Sequence, residues 1–374
     1  MRKRYFVFLI IAYIMLGLSG CAIGEASGNN NEEFKNPYRA DFICEYHVIE
    51  NGVCTQCGNK IEDSQGLDFI LDETATYYIC SGMGSCMDTQ VIIPTQYNNK
   101  PVREINEFAF MDCEKIRSVV LPAGITYIGE GAFQSCRKLQ HVVVPDTVLS
   151  IGVGAFKYCA QLNEIILPNK ITEIPDELFE GCVRLKKVVL QGSILEIGNN
   201  SFYNCQSLDN FIFPEGLELI GKQAFGRCSR LNEIVLSPSI TSIGQSAFEQ
   251  CTNVSSVIYK GTLADWLNID FEYGANPMNV CDRIYIDDNL LSEVIRIPDQ
   301  IIVLKEYSFQ GCNSVQSMIV HRNLLSQDVP QRFFADCTSL TDLYIEATEE
   351  EAKEFVKNIS FKGSIHYLHG DNIK

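Results

Sequence analysis

The chain has 374 residues, 46% of them hydrophobic and 21% charged, with 16 cysteines and a formal net charge of −17. That apolar fraction is that of a folded protein and excludes wholesale disorder. The length exceeds what a single core grows to and calls for several domains or one elongated array. So acidic a balance also argues against nucleic acid, whose recognition rests on a Lys/Arg surface.

The N-terminus reads MRKRY, followed by an apolar stretch from Tyr5 to Leu18. A basic head with a run of this size fits a signal-peptide core and is short for a spanning helix, which needs about 20 residues. The stretch ends in Leu18-Ser19-Gly20-Cys21, which resembles the bacterial lipobox. That resemblance implies cleavage before Cys21, its diacylation, and a lipid-held N-terminus; acyl chains hold a bilayer at ~0.8 kcal/mol per buried CH₂. The competing reading is an uncleaved anchor with an incidental cysteine. Residues 1–20 are thus expected to be a lipoprotein signal peptide, and the polar, Gly/Asn-rich residues 21–40 a flexible tether. An exported, membrane-anchored and surface-exposed protein is expected.

Residues 41–66 carry Cys44-Glu45-Tyr46-His47 and Cys54-Thr55-Gln56-Cys57-Gly58, two knuckles separated by six residues. A two-residue spacing lets one turn aim two side chains at a tetrahedral zinc ion. Two readings stand: a structural zinc held by Cys44, His47, Cys54 and Cys57, or disulfides with His47 as a bystander. The segment resembles small zinc-ribbon-like modules ahead of repeats, and a closed site of this kind is structural. Residues 67–100 read as an atypical first rung and N-terminal cap. There Cys80 and Cys86, disulfide-bonded or as separate thiols, flank an expected hairpin from a strand at Tyr77–Cys80 to one at Val91–Pro94.

Residues 101–260 are periodic. Cys113, Cys136, Cys159, Cys182, Cys205, Cys228 and Cys251 are each 23 residues apart, and a phenylalanine stands three residues before each, from Phe110 to Phe248. A fixed period in this range is the signature of a solenoid. The unit reads A-F-x-x-C-x-x-L-x-x-V-x-L-P-x-x-I-x-x-I-G, with Gly129, Gly152, Gly198, Gly221 and Gly244 closing rungs and Pro175 as an exception. Its L-x-x-V-x-L part should form a strand, ended by Pro122, Pro145, Pro168 or Pro214 because proline cannot donate to a continuing ladder. The IGxxAFxxC half should carry a brief helix or turn. Some ten rungs at ~4.8 Å give a stack of roughly 50 Å. The ladder cysteines, with parallel Cβ vectors and no natural pairing, read as small buried hydrophobes rather than disulfides.

This pattern, from about Val91 to Ile345, resembles the BspA-like leucine-rich repeats of bacterial surface proteins. The resemblance implies an α/β repeat fold, a leucine-rich-repeat solenoid with a short strand and a short helix or turn per 23-residue rung, preceded by the small Cys/His module. It also implies a non-enzymatic surface protein, in several cases an adhesin for host proteins or other cells.

Residues 261–294, with Lys260-Gly261-Thr262 and Trp266, resemble the family's frequent Trp-containing insertion. Thr262 reads as an N-cap for a short helix over Ala264–Leu267. Irregular repeats resume over residues 295–346, where Phe309 and Phe334 keep their lead over Cys312 and Cys337. Residues 347–374 read as a cap helix, opened by Thr348-x-x-Glu351 as a capping box and running to about Asn358, followed by a tail. His366 and His369 in that tail read as exposed residues rather than metal ligands.

No Gly-x-Ser-x-Gly, HExxH, P-loop or Rossmann glycine pattern occurs among the 374 residues, so no enzyme is expected. Binding is expected on the sheet. Alternation along each strand should bury the sixth and eighth residues after the cysteine and turn the fifth and seventh outward. The outward seventh positions are Val120, Val143, Ile166, Val189, Ile212, Val235 and Ile258. So long an aliphatic row marks a face for a protein partner, such as host matrix or another cell surface; the plain alternative is that β-branched residues suit any pleated surface. A further alternative is a self-assembling structural subunit of the cell surface.

Overall fold

In a parallel stack, a 23-residue period sets each residue beside its counterpart one rung on, so hydrogen-bond partners come from neighbouring turns. The computed structural model of the protein describes residues 49–50, 53–54, 62–326, 330–359 and 361–368. Every described residue lies in one compact unit, Cys44–Lys374. That unit is a solenoid of about 12 turns with few helices.

Each regular turn contributes to two parallel sheets. The L-x-x-V-x-L strands form the first, in three hydrogen-bonded runs: Gln90–Ile92, Ser118–Val120 and His141–Val143; Glu164–Leu167 and Lys187–Leu190; and Glu233–Leu236, Ser256–Tyr259 and Ile284–Ile286. Register follows the sequence period: Ser118 faces His141, Glu164 faces Lys187, and Glu233 faces Ser256. The second sheet comes from the I-x-x-I-G end, in two hydrogen-bonded runs: Tyr127–Ile128 with Ser150–Ile151, and then Glu173–Ile174, Glu196–Ile197, Leu219–Ile220, Ser242–Ile243 and Asp270–Phe271. The remaining side is a stack of turns. There the Phe133 N–H donates to the Ala155 carbonyl at 2.8 Å and the Phe156 N–H to the Leu178 carbonyl at 3.1 Å. Of the expected helix-or-turn half, the turn is therefore what forms, with a second short strand beside it. Backbone groups that a helix would satisfy within its own turn find partners one rung away.

The core is stratified by residue type. Phe110, Phe133, Phe156, Phe179, Phe202, Phe225 and Phe248 are buried and stack with centroids between 5.1 Å and 5.9 Å apart. Beside them run the cysteines, all free thiols. Each buried ladder thiol donates to a phenylalanine carbonyl of the preceding rung, as in Cys136 to Phe110 at 3.0 Å and Cys182 to Phe156 at 3.1 Å. The thiol is thus a small hydrophobe with one weak, regular hydrogen bond. Gly221 shows why the rung closes on glycine: a Cβ there would lie 2.7 Å from the Asn199 nitrogen of the rung before.

The plan is broken in two places: both ladders are interrupted between the rung of His141–Val143 and Ser150–Ile151 and the rung of Glu164–Leu167 and Glu173–Ile174, and one later rung lacks its first strand. Residues 210–213 form no strand, so Lys187–Leu190 and Glu233–Leu236 are each paired on one side only. The core positions here hold Phe211 and Phe213, both buried, with rings 5.1 Å from Phe202 and 5.1 Å from Phe225 respectively. These rings fill space that aliphatic side chains occupy elsewhere, and the backbone between them stands off the ladder. The second sheet continues unbroken past this rung.

The ends differ from the sequence expectation. Tyr78–Gly82 pairs antiparallel with Asp68–Leu71 and parallel with Lys100–Ile105, while Gln90–Ile92 joins the first sheet. The hairpin is therefore 68–82, not a link to residues 91–94, and Cys80 and Cys86 are separate buried thiols. In the insertion, Thr262 caps Leu263–Leu267 with a full capping box, and Trp266 is buried with its indole N–H donating to the Ser308 carbonyl at 2.9 Å. Both sheets pass through this segment, ending in Asp270–Phe271 and in Ile284–Ile286 with its antiparallel partner Asn289–Leu290. A new parallel sheet then runs Val294–Arg296, Ser317–Val320, Asp342–Ile345 and Ser364–Tyr367. The helix Glu349–Asn358 starts at Thr348 as expected but is followed by that last strand, so it is a crossover and not a lid. Among the described residues no helix is long and apolar enough to cross a membrane.

Candidate interaction surface

The strands of the first sheet alternate as their sequence dictates. In Glu164–Leu167 and Glu233–Leu236 the second and fourth residues are buried while the first and third are open or half-open. Parallel register then lines the seventh-position residues into one row, with Ile166 beside Val189 and Val235 beside Ile258. Ile166 is 39% exposed and Ile212 is 84% exposed, the highest value among the large hydrophobic side chains described. Val143, Val189, Val235 and Ile258 are half-buried.

Val120 corrects the expectation, because it is buried at 8% exposure. It sits at the capped end of the row beside Ile92, whose backbone is held by Ser64: the Ser64 N–H donates to the Ile92 carbonyl at 2.9 Å and the Ile92 N–H to Ser64 Oγ at 3.0 Å. The aliphatic face therefore begins at Val143.

The fifth-position row supplies polar edges. Lys187, Asn210 and Glu233 are exposed, and Ser256 Oγ donates to the Glu233 carboxylate at 2.8 Å. In the last sheet the outward row is Arg296, Ile319, Tyr344 and His366. His366 stacks on Tyr344 at 4.6 Å and hydrogen-bonds Asp342 at 2.7 Å, so it belongs to a strand and not to a free tail. That bond holds the Asp342 carboxyl below its ordinary range. Sequence reasoning missed two features here: the protrusion of Ile212 and the Tyr344–His366 pair. The signal for the first was two phenylalanines at core positions of one rung. The second needed a strand that no periodic signal announces.

The thiols are not poised for chemistry. Burial pushes Cys136 and Cys251 up to about 12 and raises Cys159, Cys205 and Cys228 well above the ordinary thiol value. Such groups stay protonated at neutral pH, the opposite of an activated thiolate. Among the described residues no group of three or more His, Cys, Asp and Glu is placed to hold a metal ion. Of the proposed zinc ligands, Cys44, His47 and Cys57 lie outside the described residues, as does Cys21. The backbone of Cys54 is described, in an antiparallel pair of Ile49–Glu50 with Val53–Cys54.

The sequence profile described as BspA type leucine rich repeat region matches the chain in six copies, over residues 85–209, 172–273 and 284–367. No curated protein matches the chain. Among solved structures, a leucine rich cell surface protein from Faecalibacterium prausnitzii is 18% identical, with 81% of this chain and 98% of that one covered and a TM-score of 0.35. A leucine-rich repeat protein from Bacteroides ovatus is 19% identical, covering 82% and 99% with a TM-score of 0.36. The pneumococcal vaccine antigen PcpA is 16% identical, covering 83% and 85% with a TM-score of 0.38. No function passes to this chain from likenesses of this size.

Proposed function

The chain belongs to the BspA-type leucine-rich-repeat family, and from that premise we propose that it is a lipid-anchored bacterial surface protein that recognises another protein with the outward face of its first sheet. Solenoids present extended surfaces of this kind for binding. The observation that carries the reading is the aliphatic row, in which Ile166 and Ile212 stay open to solvent while the residues on either side of each, Ile165 and Leu167, Phe211 and Phe213, are buried. Polar residues on the adjoining row give the face the apolar centre and polar rim of a recognition surface. In its concrete form the function is adhesion to a host or neighbouring-cell protein, with Cys21 carrying the lipid.

The test uses bacteria displaying the protein, counted on a cultured host-cell monolayer. The double variant Ile166→Asp, Val189→Asp should be displayed at the same level and lose attachment. Unchanged attachment would remove the face from the function.

A second reading, a structural subunit that packs against its own kind, is favoured by one observation. Ser364–Tyr367 pairs with Asp342–Ile345 on one side and, among the described residues, with nothing on the other. An open edge is a template for another strand. A self-assembler elutes above monomer size without any ligand, and a monomeric elution profile would sink this reading.

A further inference from the structure

The second residue after each ladder cysteine from Cys113 to Cys228 forms a column down the turn that leads into the first sheet: Lys115, Lys138, Gln161, Arg184, Ser207 and Arg230, with Asn253 following after Cys251. Over these six consecutive rungs the column holds four cations and no acid. All four cations are exposed. Neighbouring rungs bring the column's members into contact, since Arg184 Nη1 donates to Gln161 Oε1 at 2.7 Å. Two positions on, exposed Arg117 and Lys186 widen the stripe and half-buried Asp209 interrupts it, on backbone that is itself laddered, with the Gln140 N–H donating to the Arg117 carbonyl and the Lys186 N–H to the Asn163 carbonyl, both at 2.8 Å.

A chain with 47 acidic against 30 basic residues has carboxylates to spare, and some basic side chains elsewhere use them while others, such as Lys170, Lys187 and Lys222, do not among the described residues. Lys157 pairs with Glu177 and Glu180, Arg296 with Asp299 and Glu346, and Lys305 with Asp270. Lys115, Lys138, Arg184 and Arg230 have no ion-pair partner among the described residues. At ~4.8 Å per rung the column is roughly 24 Å long. Screening over about 8–10 Å at physiological salt is shorter than that, so the column acts locally despite the net charge.

We propose that this column is a binding site for an acidic polysaccharide, separate from the aliphatic face. Sulfate or carboxylate groups spaced along the polymer seat on Lys115, Lys138, Arg184 and Arg230, with arginine able to grip them bidentately. The uncharged Gln161 and Ser207 between the cations offer hydrogen bonds to sugar hydroxyls. The column carries no aromatic side chain on which nucleic-acid bases could stack, which disfavours a single-stranded nucleic acid.

The purified full chain is tested on immobilised heparin as a sulfated probe and hyaluronan as a carboxylate probe, with neutral dextran and duplex DNA alongside. Retention on an acidic polysaccharide at ~0.1 M salt, weakening as salt rises, is expected from counterion release. K138E/R184E should lower heparin affinity about tenfold or more, and the milder K138Q/R184Q should do so in part should the reversal not fold. I166D/V189D should leave it unchanged. The proposal is overturned by absent retention of the wild-type chain, by equal retention of the folded charge variants, or by duplex DNA binding as tightly as heparin. It is equally overturned if the stripe instead drives a salt-sensitive oligomer, lost in the charge variants, with no polysaccharide bound.

Discussion

The buried thiols predict that the solenoid is unusually sensitive to alkali. Burial keeps each ladder thiol protonated in the folded chain, with Cys136 and Cys251 raised to about 12 and their neighbours raised likewise. The unfolded chain ionises at its ordinary value of 9.0. The unfolded state therefore binds fewer protons above pH 9, and stability falls as pH rises from there toward the folded value. At pH 10 a thiol held at about 12, as Cys136 and Cys251 are, costs about 1 kcal/mol. The six from Cys136 to Cys251 are all shifted in the same direction, so their losses add. Urea unfolding followed by far-UV circular dichroism under reductant, from pH 7.5 to 10.5, measures the loss. Cys182→Ala isolates one thiol: the Phe156 carbonyl keeps the Cys159 N–H at 3.2 Å, so the cost of the substitution is a small, pH-independent cavity. The stability gap between wild type and variant should shrink by about 1 kcal/mol between pH 8 and pH 10. Parallel curves would refute the account of the thiols as buried, protonated donors.

Three further outcomes are expected. Gly221→Ala forces a Cβ to 2.7 Å from the Asn199 nitrogen and should cost about 1–3 kcal/mol in urea titration; a neutral result would mean that rungs can separate freely. Trp266→Phe removes the only tryptophan and one of the two donors to the Ser308 carbonyl, which keeps Asn276 Nδ2 at 2.9 Å, so the expected loss is about 1 kcal/mol, and wild-type fluorescence should shift to longer wavelength on unfolding. Metal analysis of the purified chain should find about one zinc, as one tetrahedral site requires, and lose it in Cys54→Ser with Cys57→Ser. Metal-free protein with oxidised cysteines would favour the disulfide reading of that segment.

What the sequence by itself determined is everything that repeats. The 23-residue spacing of cysteine, phenylalanine, leucine and glycine is enough to specify a stacked parallel solenoid, its core columns and the residues of its outward row. Local periodicity suffices there because each residue's neighbour is its own counterpart one turn away. Thr262 and Thr348 were likewise legible as caps, since a capping box lies within four residues. Tertiary structure alone decided the second strand in each rung, the break at Phe211 and Phe213, the pairing of Asp68–Leu71 with Tyr78–Gly82, and the burial of Val120. It also decided that a strand follows the helix Glu349–Asn358 and sets His366 against Tyr344. Each of these depends on which backbone groups meet across the fold and how much room a ring finds between rungs. Such partners are chosen by the stack as a whole, and a single rung read on its own carries no trace of them.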